Sequence, residues 1–190
     1  SLPVHKGDLN TVFEGCYTSH SDVKALNREA EATTESAEAL AAMASLSGFD
    51  YPTVEFRKIW EGILWNQHHD TIDGSAINSS YQDSRKVYER AILSANTIGG
   101  QAAEWLLSRI KSEPGDIAVF NPTGFARKEV VFTDAKRLTR MSEVGKWMPQ
   151  QLSDGKWAVL AEDIPSFGYR TFKPRFIMGT VGHTNIFSPS

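Results

Sequence analysis

The spacing of hydrophobic positions changes once along this chain, near Glu113-Pro114-Gly115. Before that point apolar residues recur every three to four positions, which places them on one face of a helix. Val23, Leu26, Ala30, Ala37, Leu40, Ala41 and Ala44 form a first stripe, with Lys24, Arg28, Glu29 and Glu31 between them. Ser19 and Asp22 have capping-box spacing, with aspartate in place of glutamate, and Gly48 is a terminator, so a long helix is predicted to run to about Ser47. Pro52 opens a second helix where its missing N–H costs nothing, and Phe56, Ile59, Trp60, Ile63 and Leu64 make its stripe. A third pattern from about Ser79 to Ile110 carries Val87, Ala91, Ala95, Ile98, Ala102, Trp105, Leu106 and Ile110. Gly99-Gly100 inside it costs about 1 kcal/mol per glycine relative to alanine, which points to a kink or a close helix contact rather than a break.

Beyond Glu113 the period falls to two. Ile117–Phe120, Lys128–Phe132, Trp157–Ala161 and Tyr169–Phe172 read as strands, with Asp154-Gly155 as a hairpin turn. The charged stretch from Asp134 to Gly145 reads as an exposed loop, and Met178–Ser190 carries no clear pattern. Four short strands are few for an independent sandwich, so a sheet completed by residues outside this chain is expected. The fold class is α+β: a three-helix bundle over residues 1–113, then a small, incomplete antiparallel sheet or sandwich over 114–190.

Composition narrows the classes of partner. A chain of 190 residues, 41% of them hydrophobic, can bury real cores. Its net charge of −3 gives no electrostatic reason to expect nucleic acid or an anionic membrane surface as a partner. No apolar run reaches membrane-spanning length. The single cysteine, Cys16, forms no intrachain disulfide and reads as a packing thiol, which leans toward a reducing, cytoplasmic setting. The start at Ser1-Leu2-Pro3 lacks methionine and reads as a processed piece, leaving a secretion signal on a parent chain open.

The chemistry concentrates in Trp65-Asn66-Gln67-His68-His69-Asp70-Thr71-Ile72-Asp73-Gly74-Ser75. Two imidazoles and a carboxylate are groups that hold a borderline cation such as zinc. On a continuous helix adjacent side chains diverge by about 100°, so at most one histidine, with the aspartate beside it, would face a common centre. His68 extends the stripe of Trp60 and Leu64 and reads as a buried histidine, whereas His69 lies off that stripe. Asp73 reads as a turn residue before Gly74 and Ser75 as a cap for the next segment. Trp60, Trp65 and Trp105 read as core, and Arg85-Lys86 with Glu89-Arg90 as a solvated face. His20-Ser21-Asp22 also has a His-x-Asp form, but it reads as a helix start, where Asp22 is favoured by the helix dipole.

These residues bring a family into view. Gly7-Asp8-Leu9-Asn10, Phe13-Glu14-Gly15-Cys16-Tyr17-Thr18-Ser19 with Lys24, Asn27, Arg28 and Glu31, the His68-His69-Asp70 run, Val119-Phe120-Asn121-Pro122 with Arg127 and Glu129-Val130-Val131, and Ile164-Pro165-Ser166-Phe167-Gly168-Tyr169-Arg170 follow in order along nearly the whole chain. Together they resemble the middle domain and the start of the C-terminal β region of zinc-dependent α-mannosidases, glycoside hydrolase family 38.

The resemblance implies that His69 is a zinc ligand, that Asp70 binds sugar hydroxyls beside the metal, and that His68 packs. Tyr17 would border the sugar site, with a buried tyrosine anchoring its loop as the open alternative. One zinc ion would be shared with a histidine and two aspartates of an N-terminal catalytic domain absent from this chain, and the remaining C-terminal β domain would be the other partner. The implied reaction is removal of terminal α-linked mannose with retention. No position here matches either catalytic carboxylate, so this piece alone is expected to be inactive. Two alternatives stand beside this reading. One is a non-catalytic docking or carbohydrate-binding module, which the absence of an upstream α/β catalytic frame would favour. The other is a self-sufficient metal site built from His20, Asp22, His68, His69 and Asp70, which requires two helix ends to meet.

Overall fold

The computed structural model describes residues 2–8, 15–113, 116–134, 140–141, 149–172 and 174–175. The chain divides into two compact units, Ser1–Arg109 and Ile110–Ser190. The first is helical and the second is a set of small antiparallel sheets, the α+β class expected from the change of period.

In the first unit a short 3₁₀ turn, Cys16–Thr18, leads into α1 (Ser21–Ser45), α2 (Thr53–Asn66), the one-turn α3 (His69–Ile72) and α4 (Asn78–Leu107). Along α1 the buried residues are Val23, Asn27, Ala30, Thr34, Ala37, Ala41 and Ala44. Along α4 they are Tyr81, Ser84, Tyr88, Ala91, Ala95, Ile98, Gly99 and Ala102. The α1 set alternates steps of four and three, and the α4 set does the same up to Ile98, beside which Gly99 is also buried, the pattern of a knobs-into-holes seam. The two helices run parallel, because Asn27 meets Tyr88, Ala37 meets Gly99 and Ser47 meets Trp105. The antiparallel α2 contributes Phe56, Ile59 and Ile63 to the same core.

Seven of the fifteen seam residues are alanine, and they let the helices approach closely. A Cβ on Gly99 would lie 3.4 Å from Ala37 Cβ, whereas one on Gly100 would meet nothing within 4 Å. The glycine pair therefore marks a close helix contact made by its first member. Gly48 ends α1 with a φ of 94°, with Gly48 N–H donating to Ser45 O at 3.0 Å and Phe49 N–H to Ala44 O at 3.2 Å. This is the bond pair of a Schellman ending, and glycine takes its left-handed position without a Cβ penalty.

Several local expectations are corrected. The Ser19–Asp22 capping box does not form, because the chain enters α1 through His20 in the left-handed region (φ 50°, ψ 49°) with no side-chain cap. Ser19 Oγ donates to Gly15 O, and Asp22 accepts from Arg85 at 2.7 Å. Pro52 precedes the first residue of α2, and Ser75 does not cap α4, whose N-cap is Ile77. Leu64 and Trp65 are exposed, because the α2 stripe continues through Ile63 to Asn66 and turns away from them.

In the second unit β1 (Ile117–Asn121) pairs with β6 (Gly168–Phe172). Strands β2 (Arg127–Thr133), β5 (Trp157–Ile164) and β4 (Gln150–Gln151) form a sheet in the order β2-β5-β4, and β3 (Arg140–Met141) pairs with β7 (Pro174–Arg175). Val159, Ala161, Ile164 and Phe172 are the core, flanked by Ile117, Val119, Val131 and Trp157. Asp154-Gly155 makes the expected tight turn, with Gly155 at φ 87° and Asp154 Oδ1 accepting from Lys156 N–H. Buried Asn121 closes the unit. Its amide donates to Phe125 O (2.8 Å) and Pro165 O (2.9 Å), and its Oδ1 accepts from Thr123. That lacing gives a physical reason for the Asn-Pro and Ile-Pro-Ser-Phe-Gly motifs to occur together. Most of the expected 134–145 loop and all of 178–190 lie outside the described residues.

Candidate functional site

The site forms where α2 stops. Asn66 donates its side-chain amide to Gly62 O at 2.8 Å, competing for a carbonyl that the helical ladder would use. Gln67 is the C-cap, and His68 is extended (φ −53°, ψ 136°) before α3 begins at His69. The helix is thus broken at His68, and the argument from a continuous helix does not hold. One ligand atom from each of His68, His69 and Asp70 lies within 4.8 Å of the others.

The cluster is open. The side chains of His68, His69 and Asp70 are 57%, 80% and 63% exposed, so His68 is not the buried histidine that its spacing implied. His69 Nε2 stands 3.3 Å from Asp70 Oδ1, and the two imidazoles are tilted at 4.3 Å between centroids. Two donors on one tetrahedral zinc lie about 3.4 Å apart, given metal–ligand bonds of about 2.0–2.1 Å. The His69–Asp70 spacing therefore fits shared ligation of one ion, and the mixed imidazole and carboxylate donors suit zinc. Three groups from one short turn leave the rest of a coordination sphere to other residues.

The turn is fastened from both ends. Gln67 Nε2 donates to Asn27 Oδ1 at 3.0 Å and to Glu31 Oε1 at 2.8 Å, while Tyr88 donates its buried hydroxyl to the same Asn27 oxygen at 3.1 Å. Burial, with the nearby Glu31 carboxylate, pushes the Tyr88 hydroxyl up to about 12. At the far end Lys24 Nζ donates to Asp73 O at 3.3 Å and to Ser19 O at 2.6 Å. Asp73 accepts from Ser75 N–H at 2.9 Å, and this bond holds its carboxyl below the usual range. Asp73 is a turn residue, as expected.

Tyr17 lies in the 3₁₀ turn, 63% exposed, which removes the alternative of a buried anchor. Through Lys24, which binds both Ser19 O and Asp73 O, its loop and the α3 turn share one end of the bundle. The second His-x-Asp run is engaged elsewhere: His20 stacks on Tyr81 at 3.8 Å and Asp22 binds Arg85. Among the described residues, the candidate metal cluster contains neither His20 nor Asp22, which removes the five-residue site. Exposed Leu64 and Trp65 line an open groove of about 740 Å³ with Gln67, His68, Thr71, Ser80, Asp83 and Val87. What the sequence reading missed is the role of Lys24, Asn27 and Glu31. Their spacing of three and four was the available signal.

The helical unit turns the candidate donors His68, His69 and Asp70 outward. Comparison with known proteins gives that unit its family. The α-mannosidase middle-domain profile matches residues 11–106. Mouse alpha-mannosidase 2C1 is 32% identical over 124 residues, covering 63% of this chain and 12% of that protein. The Saccharomyces cerevisiae alpha-mannosidase is 27% identical over 117 residues, covering 59% of this chain and 11% of that one. An alpha-mannosidase structure from Enterococcus faecalis superimposes with a TM-score of 0.67 at 18% identity, over 84% of this chain and 24% of that chain. The chain belongs to glycoside hydrolase family 38, as a member of its α-mannosidase middle-domain family. The relatives are much longer, and this chain spans about an eighth of the mouse protein's length. No helix among the described residues is long and apolar enough to cross a membrane.

Proposed function

We propose that this chain is the middle domain and the start of the C-terminal β region of a longer, zinc-dependent, retaining α-mannosidase. In that enzyme His69 ligates the metal, Asp70 hydrogen-bonds hydroxyls of the terminal mannose, and Tyr17 borders the sugar. The observation that carries this reading is the outward-facing His69–Asp70 pair at zinc-ligand spacing in a chain of this family. Bound there, zinc supplies a positive centre for vicinal sugar hydroxyls. The chain's own part is to hold one imidazole and one carboxylate side by side on a short turn. The nucleophile, the general acid and the other zinc ligands belong to a catalytic domain outside residues 1–190, and cleavage follows the two-carboxylate logic of retaining glycosidases.

Substituting His69→Ala or Asp70→Ala in the full-length enzyme is expected to lower turnover of an aryl α-mannoside by at least a hundred-fold, while the enzyme still folds. Near-normal turnover by the His69→Ala enzyme would overturn the ligand assignment. The 190-residue chain alone is expected to release no mannose from the same substrate.

A further inference from the structure

We propose that Lys24, Asn27 and Glu31 on one face of α1 act as positioning residues, clamping both ends of the 67–75 segment so that His69 is held in register for the metal and Asp70 for the sugar beside it. The inference deepens the reading above and rests on it.

The geometry carries the argument. Positions 24, 27 and 31 follow steps of three and four, so their side chains rise from one strip of α1. The strip touches the segment at two places. Asn27 and Glu31 take both amide protons of Gln67, the residue just before His68. Lys24 takes the carbonyl of Asp73, the C-cap of α3. Between those points lies a helix of a single turn. Thr71 and Ile72 N–H donate to His68 O at 2.9 Å, and Asp73 N–H donates to His69 O at 3.2 Å. A helix this short has too few internal bonds to hold itself together in water, and none of its residues is buried. Its order must come from neighbours: Ser75 Oγ reaches Asp70 O within the segment, and from α1 these three side chains hold its two ends.

The anchors differ in rigidity, and that difference is informative. Asn27 is nearly fully buried and its acceptor oxygen is fixed a second time by the Tyr88 hydroxyl, so Gln67 is held against an oxygen that cannot swing. Lys24 bridges Asp73 to Ser19, so the far end of the segment is tied to the loop that carries Tyr17. One helix face therefore sets the positions of all three proposed site residues. Arg28, whose side chain is 85% exposed, lies beside the strip and pairs with Glu31 at 3.6 Å.

The test uses amide hydrogen exchange in the 190-residue chain and zinc retention against a chelator in the full-length enzyme. Gln67→Met removes the donor and Lys24→Met removes the ammonium. Each is expected to speed exchange at Thr71, Ile72 and Asp73 by about ten-fold or more, to leave exchange across the α1–α4 seam unchanged, and to weaken zinc retention by a similar factor. Gln67→Lys, which still donates to Asn27 and Glu31, and Lys24→Arg are expected to restore both readouts. A role in stability alone would speed exchange everywhere and would not distinguish methionine from the donor-restoring variants. Unchanged exchange in the 71–73 amides overturns the clamp, and so does unchanged zinc retention in the methionine variants when His69→Ala loses its zinc. If His69→Ala keeps its zinc, the ligand assignment fails instead, and exchange alone then decides the clamp.

Discussion

The α1–α4 seam and the 67–75 segment lie against the same helix and are held in opposite ways. Along the seam, Ala30, Ala37, Ala41 and Ala44 meet Ala91, Ala95, Gly99 and Ala102 at close range, and stability comes from excluded water and dense packing. In the 67–75 segment none of the residues of α3 is buried, and polar side chains from α1 do the holding. The proposed role of lending donors to a shared site would use both arrangements: a rigid base that tolerates little change, and an exposed turn whose geometry is set by directional bonds. α1 supplies both, and Asn27 belongs to each, bonded to Tyr88 of the seam and to Gln67 of the segment.

The sharpest break of that contrast is expected at the seam. Gly99→Val places branched carbons against Ala37, where even a Cβ is only 3.4 Å away, and should cost about 1–3 kcal/mol by overpacking, read as a lower urea midpoint. Local exchange in the α3 turn should be unaffected, since its anchors Lys24, Asn27 and Glu31 lie away from Gly99.

A smaller effect should appear at alkaline pH where the two regions meet. The Tyr88 hydroxyl is raised from 10.0 to about 12 by burial and by Glu31. The unfolded chain releases this proton first, so the folded state binds more protons between those values and stability falls as pH rises through that window. The loss should approach the order of 2 kcal/mol, and Tyr88→Phe should flatten it. Below pH 10 this group contributes no pH dependence.

The smallest effect runs the other way. Gly100→Ala meets no atom within 4 Å, so it should stabilise the domain by about 0.5–1 kcal/mol through helix propensity alone, raising the thermal midpoint. Equal destabilisation by Gly99→Val and Gly100→Ala would show that the seam is not where the glycine pair acts.

How much of this was legible in the sequence divides along the same line. Periodic burial announced the helices and the strands, because packing writes itself as spacing, whereas at Gly99-Gly100 the sequence left a kink and a close contact open. It failed where direction matters more than burial. His68 sits at a stripe position yet is exposed, since the helix ends one residue before it and the stripe has no continuation. Ser19 and Asp22 have capping spacing yet do not cap, because His20 takes a left-handed turn that spacing does not encode. Asn27 and Thr34 are buried within the α1 stripe although both are polar. Thr34 donates to Ala30 O within its own helix, whereas Asn27 reaches Gln67 and Tyr88, tens of positions away, and its spacing from Lys24 and Glu31 marks a shared face without naming those partners. The candidate donors were readable from residue type. The break that gathers them within 4.8 Å was not.

The most direct measurement is an X-ray structure of the full-length enzyme with diffraction data collected at the zinc absorption edge. The account predicts an anomalous peak with a His69 ring nitrogen about 2.0–2.1 Å from it and the Asp70 carboxylate alongside. A zinc ion coordinated without His69, or a His69 ring packed against apolar side chains in the assembled enzyme, would contradict it.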